Sequence, residues 1–240
     1  MMRLLVATHN PHKVEEIRAI LGGRFHCLTL QNFPEAPTTI EDADTFAGNA
    51  TKKAVELARW LAGARPAPLA PRPSPQYVLA DDSGLEVDAL GGAPGVHSAR
   101  FAALNGSVGG RPANLAGNSS DAENNARLLD LLGNVPLEER TGRFRCVLAL
   151  TPVLAETHPG SSPVCYADDL ELQTELFEGV CDGRIAFAPR GQGGFGYDPL
   201  FLPEGYQQSF AELGEEVKNR LSHRARALAK LRQRLLAIHR

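Results

Sequence analysis

Two adjacent carboxylates follow a short apolar run in the stretch VLADDSGLEVDALGGAPGVHSARF, residues 78–101. A buried carboxylate without a partner is costly, and two neighbouring carboxylates repel each other. Asp81 and Asp82 at a strand end therefore indicate a metal ion, a basic partner or a proton-transfer role, and oxygen ligands favour Mg²⁺ over zinc. Ser83 and Gly84 would allow a phosphate or sugar to approach the main chain closely. A solvated turn is the alternative interpretation.

The segment THNPHK combines groups that bind phosphate. Thr8 and Asn10 supply a hydroxyl and an amide immediately before a predicted helix, and Lys13 lies in its first turn. Helix N-termini with such neighbours bind phosphate oxygens through main-chain N–H groups and side chains. Thr and Asn are also common helix caps, so an ordinary cap remains the alternative interpretation.

The segment RGQGGFGYDP, residues 190–199, contains a formal G-x-G-x-x-G. A dinucleotide-binding oxidoreductase is the corresponding alternative function, but Pro199 and Pro203 follow where the helix of that motif should start. A glycine-rich turn that displays Phe195 suits a flat ring lying against it, and Asp198 would accept a ring N–H. An ordinary turn with a core Phe is the competing interpretation.

The segment SHRARAL begins with Ser222, which is predicted to cap a C-terminal helix. His223 and Arg224 in its first turn are hydrogen-bond donors that could read a carbonyl oxygen on a base edge. Lys218 adds a further possible phosphate contact. A solvated helix start is the alternative interpretation for this segment.

Hydrophobic periodicity in the first part of the chain predicts an α/β unit. Residues 3–7 are predicted to form a short buried strand, and the period changes to that of a helix after Asn10 and Pro11. A second helix is predicted from about Thr45 and a second buried strand over 77–81. Residues 63–76 contain five prolines in fourteen positions, which predicts an exposed loop.

The second part of the chain is predicted to add strands that pair locally. A helix is predicted behind an Asp121 cap, followed by a central strand over 143–150. Residues 170–188 alternate around Gly179 and around 182–183, which predicts antiparallel strands joined by hairpins. The predicted fold class is α/β, with a mixed sheet covered by helices and strand ends that border a cleft.

Composition excludes several classes of protein. The chain has 240 residues and a formal net charge of −3, so no basic field favours a nucleic-acid polymer as partner. No apolar stretch is long enough to span a membrane, and the first ten residues do not resemble a signal peptide. Four scattered cysteines, none in a C-x-x-C pair, are typical of a reducing cytoplasm.

The segments ATHNPHKVEEI, FAGNATKKA, LADDSGLEVDALGGAPGVHSARF, RFRCVLAL, GQGGFGYDPLF and SHRARAL occur in this order over most of the chain. The series resembles the inosine/xanthosine triphosphate pyrophosphatases of the Ham1 family. The resemblance implies a single domain over 1–240 with two lobes, an elongated mixed sheet, a central active-site cleft and a homodimer. It implies Mg²⁺-dependent hydrolysis of ITP, dITP and XTP to the monophosphate and pyrophosphate, which cleanses the nucleotide pool.

The same resemblance assigns roles to individual residues. Asp82 would be the general base and a metal ligand, with Asp81 as a second metal ligand. The residues expected to contact substrate are Thr8, His9, Asn10, Pro11, His12, Lys13, Lys53, Ser83, Phe195, Gly196, Tyr197, Asp198, Lys218, His223 and Arg224.

One position departs from the family's pattern. Gly48 occupies the place of an acidic residue in F-x-E-N-A that the family uses as a metal ligand. The metal site is therefore expected to lack one carboxylate, and Glu41 or Asp44 is a possible replacement. A nucleotide-binding protein without catalytic activity is the alternative that this departure raises.

Overall fold

The computed structural model describes residues 1–63, 75–105, 117–154 and 169–238. Most of the predicted proline-rich loop, 64–74, therefore lies outside the described residues. The strands are β1 (Met2–Ala7), β2 (Phe25–Thr29), β3 (Tyr77–Val87), β4 (Thr141–Pro152), β5 (Glu175–Ile185) and β6 (Phe201–Pro203). The α-helices are α1 (Pro11–Leu21), α2 (Phe46–Gly63), α3 (Asp121–Leu131), α4 (Asp169–Leu172), α5 (Phe210–Leu221) and α6 (His223–Ile238).

The six strands form one mixed sheet in the order β2-β1-β3-β4-β5-β6. β1 is parallel to both β2 and β3, whereas β5 and β6 are antiparallel. Parallel neighbours require a crossover connection, and helices are available for this because α1 lies between β1 and β2 in the chain and α2 lies between β2 and β3. The predicted α/β class with a mixed, helix-flanked sheet is confirmed.

β3 is longer than the predicted strand because it continues to Val87. β1 pairs with it only from Tyr77 to Ala80. Asp81 and Asp82 therefore lie in the middle of a strand, just beyond the last residue that pairs with β1, and the prediction that they end the strand is wrong. The charges interrupt the apolar run, but buried Leu85 and Val87 continue the strand after them.

Residues 175–185 form one continuous strand, so the predicted hairpins are wrong. The two glycines that suggested turns serve close packing instead. A Cβ atom at Gly179 would collide with the main-chain oxygen of His223, and a Cβ at Gly183 would collide with the main-chain oxygen of Leu202. Glycine is required here because another main-chain segment lies against the strand.

The helix starts follow local capping chemistry. Asn10 caps α1 and Pro11 is its first residue, as predicted. α3 is capped by Ser120, not by Asp121, which is its first helical residue. Ser120 and Glu123 form a reciprocal capping box, in which each side chain accepts a hydrogen bond from the main-chain N–H of the other residue. Ser222 Oγ accepts from the Ala225 N–H at 3.1 Å, which confirms the predicted cap of α6.

The chain divides into two compact units. The first comprises Met1–Asp82, Val147–Phe177 and Leu228–Arg240, and the second comprises Ser83–Cys146 and Glu178–Ala227. The second unit has a continuous apolar core in which the rings of Phe144, Phe201 and Phe210 contact one another. Within the described ranges, no helix combines the length and the apolar character needed to cross a bilayer.

Candidate functional site

The loop before α1 satisfies its main-chain donors internally. Thr8 Oγ1 accepts from the Asn10 N–H at 3.1 Å, and Asn10 Oδ1 accepts from the N–H groups of His12 and Lys13 at 2.9 and 3.3 Å. The amides at the start of the helix are therefore already bonded. What the loop offers to a phosphate is the Thr8 hydroxyl proton, the Asn10 amide N–H₂ and the Lys13 ammonium group.

The other predicted residues of this loop lie at the surface. His9, Pro11 and His12 are exposed, and His12 Nδ1 lies 3.9 Å from a carboxylate oxygen of Glu15. His9 and Pro11 line a cavity of about 390 Å³ together with Arg18. His9, Pro11 and His12 are thus solvent-accessible.

Lys13 forms a partly buried ion pair with Asp81. Its Nζ lies 2.5 Å from Asp81 Oδ1, and only 1% of the Asp81 side chain is exposed. The two residues are 68 positions apart, so the fold and not local sequence brings them together. Because Asp81 neutralises Lys13, the expected metal-ligand role of Asp81 competes with this contact.

Asp82 is paired with a different lysine. Lys53 Nζ, on α2, donates to Asp82 Oδ1 at 3.1 Å and to the main-chain oxygen of Asp81 at 2.8 Å. Adjacent residues of a strand point to opposite faces, so the two neighbouring carboxylates meet separate cations. The repulsion expected between them is relieved in this way.

Burial and charge act in opposite directions on Asp82. Burial raises the pKa of the Asp82 carboxyl, while Lys53 and Lys13 oppose the rise, and the net shift is upward. For Lys53, burial lowers the pKa, but the charges of Asp82, Glu41 and Asp81 outweigh it and the pKa is raised. Lys53 therefore remains a cation beside a carboxylate that takes up a proton more readily than an ordinary Asp.

Glu41 joins this cluster, and Gly48 packs against Ala43 and Thr45. Glu41 Oε1 lies 3.3 Å from Lys53 Nζ, and the Glu41 side chain is 39% exposed. A Cβ atom at Gly48 would lie 2.8 Å from Ala43 Cβ and 3.0 Å from Thr45 Oγ1. Glu41 is thus the additional acid that the fold brings to Asp82. Sequence analysis named it only as a replacement for the acidic residue that is missing at Gly48.

The donor set around Asp82 suits a hard cation. Asp82 Oδ2 is buried and accepts no hydrogen bond from the part of the chain that the structure describes. A buried anionic oxygen without a donor is the kind of atom that a divalent cation satisfies. Among the described residues, however, no three His, Cys, Asp or Glu side chains are grouped for metal binding. Two carboxylates together with substrate oxygens and water are sufficient for Mg²⁺.

In the second unit, Asp198 organises the glycine-rich turn. Its Oδ2 accepts from the Phe195 N–H at 2.8 Å and from Lys218 Nζ at 2.5 Å. Both charged side chains are almost completely buried, at 3% and 4% exposure. Asp198 therefore holds the turn and the lysine, and its expected contact with a ring N–H stays a prediction. β6, not a helix, follows the turn, as the prolines predicted.

Phe195 lies among cations. Lys218 Nζ is 4.3 Å and Arg224 Cζ is 5.8 Å from the centre of the Phe195 ring. The ring is half-buried, and such cation–π contacts fix its orientation. An aromatic face held in this way is suited to stacking against a planar ligand.

Arg224 and His223 are buried at the start of α6. Arg224 donates to Ser83 Oγ at 2.9 Å and is 1% exposed. The imidazole of His223 stacks on Phe144, with ring centres 4.7 Å apart and planes 14° apart. The alternative interpretation of this pair as a solvated helix start is therefore wrong.

The remaining residues of the turn are fixed by contacts that sequence analysis missed. The Tyr197 side chain lies in the core, where its hydroxyl donates to the main-chain oxygen of Ser98 at 2.9 Å. The main chain of Gly196 is held by Asp121 and Asn125 of α3. Asn125 and Ser98 are distant in sequence from the turn, so no local pattern could have identified them.

The chain is similar to known proteins of one family. The sequence model of the Ham1 family matches residues 4–234. A dITP/XTP pyrophosphatase of Geobacter sulfurreducens is 44% identical over 236 residues, covering 98% of this chain and 97% of that protein. The dITP/XTP pyrophosphatase of Shouchella clausii is 41% identical over 233 residues, covering 97% and 96%.

Solved structures of Ham1 proteins have a similar fold. A HAM1 protein from Coxiella burnetii superposes with a TM-score of 0.71 at 30% identity, covering 99% of this chain and all of that one. The Ham1 protein of Staphylococcus aureus superposes with a TM-score of 0.70 at 29% identity, covering 98% of each chain. Since the family match spans nearly the whole sequence and relatives exceed 40% identity, the chain belongs to the Ham1 family.

Proposed function

We propose that the protein hydrolyses the deaminated purine nucleoside triphosphates ITP, dITP and XTP to the monophosphate and pyrophosphate. The names of the relatives, dITP/XTP pyrophosphatase, supply the substrate class. The buried Asp82 carboxylate, paired with Lys53 and with one oxygen that accepts no hydrogen bond in the described chain, is the observation that supports catalysis.

Asp82 acts as the general base. It accepts a proton from water as the water oxygen bonds to the α-phosphorus, and the bond from that phosphorus to the bridging oxygen breaks, which releases pyrophosphate. Burial favours this role because it raises the Asp82 pKa towards the pH at which a base is effective. Lys53 opposes the rise and so favours the ionised carboxylate that a base needs.

The triphosphate binds to the side chains of the loop before α1. Thr8, Asn10 and Lys13 provide an O–H, an N–H₂ and an ammonium donor, and Lys53 provides a second ammonium group. Asp81 holds Lys13 in place. The exposed side of the loop contributes further substrate contacts, from His9, Pro11 and His12.

The cofactor is Mg²⁺, which Asp82 would hold with Glu41 as the second carboxylate. Bound there, it would supply positive charge to the phosphate oxygens and to the departing pyrophosphate. The proposed use of Asp81 as a ligand is weaker, because Asp81 is paired with Lys13. Asp82 Oδ2 and the nearby Glu41 match the oxygen donors that Mg²⁺ prefers.

The base is recognised by residues of the second unit. Phe195 stacks on the ring, with Gly196, Tyr197 and Asp198 shaping the turn that presents it. Lys218, His223 and Arg224 provide donors, of which Arg224 is oriented by Ser83. A 6-oxo group accepts from such donors, whereas the 6-amino group of adenine does not.

We propose further that the protein is a cytoplasmic homodimer, as the family resemblance implies. A stable dimer would have twice the chain mass of 25.8 kDa in sedimentation equilibrium. A monomer at micromolar concentration that retains full turnover would contradict this assembly.

The proposed reaction is tested with a panel of nucleoside triphosphates and Mg²⁺, and with phosphorus NMR as the readout. ITP, dITP and XTP should yield monophosphate and pyrophosphate in equal amounts. Release of orthophosphate with IDP as the first product would contradict attack at the α-phosphorus. Binding of ITP without turnover would identify a catalytically inactive nucleotide-binding protein.

A further inference from the structure

The peptide groups around Gly196 are held by two residues of α3 that lie one helical turn apart. The Gly196 N–H donates to Asp121 Oδ2 at 2.6 Å, and Asn125 Nδ2 donates to the Gly196 oxygen at 3.0 Å. Residues four apart lie on one face of a helix. α3 therefore presents an acceptor and a donor that match the donor and the acceptor of one glycine.

The segment around Gly196 depends on such contacts because it lies outside the helices and strands of the structure. Gly194 and Gly196 have φ angles of +75° and +63°. Glycine has no Cβ atom to restrict its main chain, so other contacts must hold it in this conformation. Phe195 lies between them. Its own N–H is bound by Asp198, so the contacts of Gly196 complete the fixation of the Phe195 main chain.

Asn125 is poorly suited to a purely stabilising role. It is 8% exposed, and its Oδ1 accepts no hydrogen bond from the described residues. A buried acceptor without a donor costs free energy, which an apolar side chain of similar size would avoid. The neighbouring Asn124 uses both ends of its amide, towards the Ala102 N–H and the Ala99 oxygen.

We infer that Asp121 and Asn125 are positioning residues for base recognition. They touch neither the phosphates nor the attacking water in the proposed reaction, and they act through Gly196 on the orientation of Phe195. The inference rests on the proposed function, in which Phe195 stacks on the purine. Loss of either contact weakens binding of the base and raises KM, while groups that bind the triphosphate are unaffected.

The principal test compares Asn125→Leu with the unaltered protein. Leucine keeps the volume of the side chain and removes both the donor to Gly196 and the unsatisfied oxygen. Calorimetry should show IMP bound about tenfold more weakly, the size of one lost hydrogen bond. KM for ITP should rise by a similar factor at nearly unchanged kcat. Tm should not fall, whereas a residue needed only for folding would lower Tm.

Base-free tripolyphosphate provides the internal control, because it uses only the phosphate groups of the site. Its inhibition constant against ITP should be the same for Asn125→Leu and the unaltered protein. Asp130→Asn provides a control variant, since Asp130 lies on α3 and pairs with Arg127 at the surface. It should leave IMP affinity unchanged.

Asp121 gives an independent test should Asn125→Leu fail to fold. Asp121→Ala removes the acceptor for the Gly196 N–H, while Asp121→Asn keeps an oxygen acceptor and should restore most of the IMP affinity. Equal IMP affinity in these two variants, or unchanged KM and IMP affinity in a folded Asn125→Leu, would overturn the inference and leave the proposed function standing. Absence of both ITP turnover and IMP binding in the unaltered protein would overturn the proposed function and the inference with it.

Discussion

Lys53 Nζ lies 3.1 Å from Asp82 Oδ1, and both side chains are about nine-tenths buried. Removal of one member of such a pair leaves the other charge buried and uncompensated. The pair therefore sets the protonation state of Asp82 as well as its position.

Asp82→Asn should lower kcat by about 10²-fold or more and leave nucleotide affinity largely intact. The amide keeps the shape of the carboxylate and cannot accept the proton from water. Steady-state kinetics with ITP, together with calorimetric binding of IMP, checks this. Turnover near that of the unaltered protein would remove Asp82 from the role of base.

Lys53→Met should move the acidic limb of the kcat/KM profile to higher pH. The base acts only when ionised, so activity falls as pH decreases through the Asp82 pKa. Burial already raises that pKa and Lys53 opposes the rise; removal of the lysine therefore raises the pKa further. Lys52→Met is the matched control, because Lys52 pairs with exposed Asp42. A limb that stays in place or moves to lower pH would contradict the assignment.

Glu41→Gln should raise the Mg²⁺ concentration for half-maximal rate by at least about tenfold. Its carboxylate is the acid that the fold places beside Lys53 and Asp82. Asp42→Asn changes the same charge on a neighbouring residue that pairs with Lys52, and it should leave the requirement unchanged. Mg²⁺ titration at saturating ITP is the measurement. Equal requirements in both variants would exclude Glu41.

Gly48→Glu distinguishes this arrangement from the family's pattern. If residue 48 faced the metal, added acid would lower the Mg²⁺ requirement. A side chain there meets Ala43 and Thr45, so we expect no lower requirement and a reduced Tm. A lower Mg²⁺ requirement in a folded Gly48→Glu variant would show that position 48 does line the metal site.

Lys218→Met should destabilise the protein by about 3–5 kcal/mol, because it leaves the Asp198 charge buried without its partner. The double variant with Asp198→Asn should lose less than the sum of the two single losses. Denaturant unfolding at fixed pH measures all three. The exposed pair Glu216 and Arg220 is the control, for which removal of one member should cost less than about 1 kcal/mol.

ITP should be preferred to ATP by about 10⁴-fold or more in kcat/KM. A buried donor such as Arg224 meets another donor, and no acceptor, when the base presents an amino group in place of a 6-oxo group. Competition between the two nucleotides in one reaction measures the ratio directly. Comparable rates for ATP and ITP would contradict base recognition by these residues.

Local sequence was sufficient for much of the fold and for parts of the site. The caps at Asn10 and Ser222 and the strand that leads to Asp81 follow from residue type and spacing. The assignment of each lysine to its carboxylate did not follow, because Lys13 and Lys53 are 68 and 29 residues from their partners. Gly179 was misinterpreted for a related reason: a glycine in a turn and a glycine beneath another main chain have the same sequence signal.

The alternation of side chains along β3 has a consequence for how this sequence can evolve. Pairing of Leu4 with Tyr77 through Ala7 with Ala80 fixes the register of the strand. Insertion or deletion of one residue between Ala80 and Asp82 would turn each later side chain to the opposite face. Asp82, whose carboxylate pairs with Lys53, would then point towards Lys13. Substitutions that keep the length of the strand can accumulate here one at a time, but a change of length disrupts both ion pairs in a single step. We therefore expect functional descendants of this chain to conserve the number of residues between the segment of β3 that pairs with β1 and Asp82.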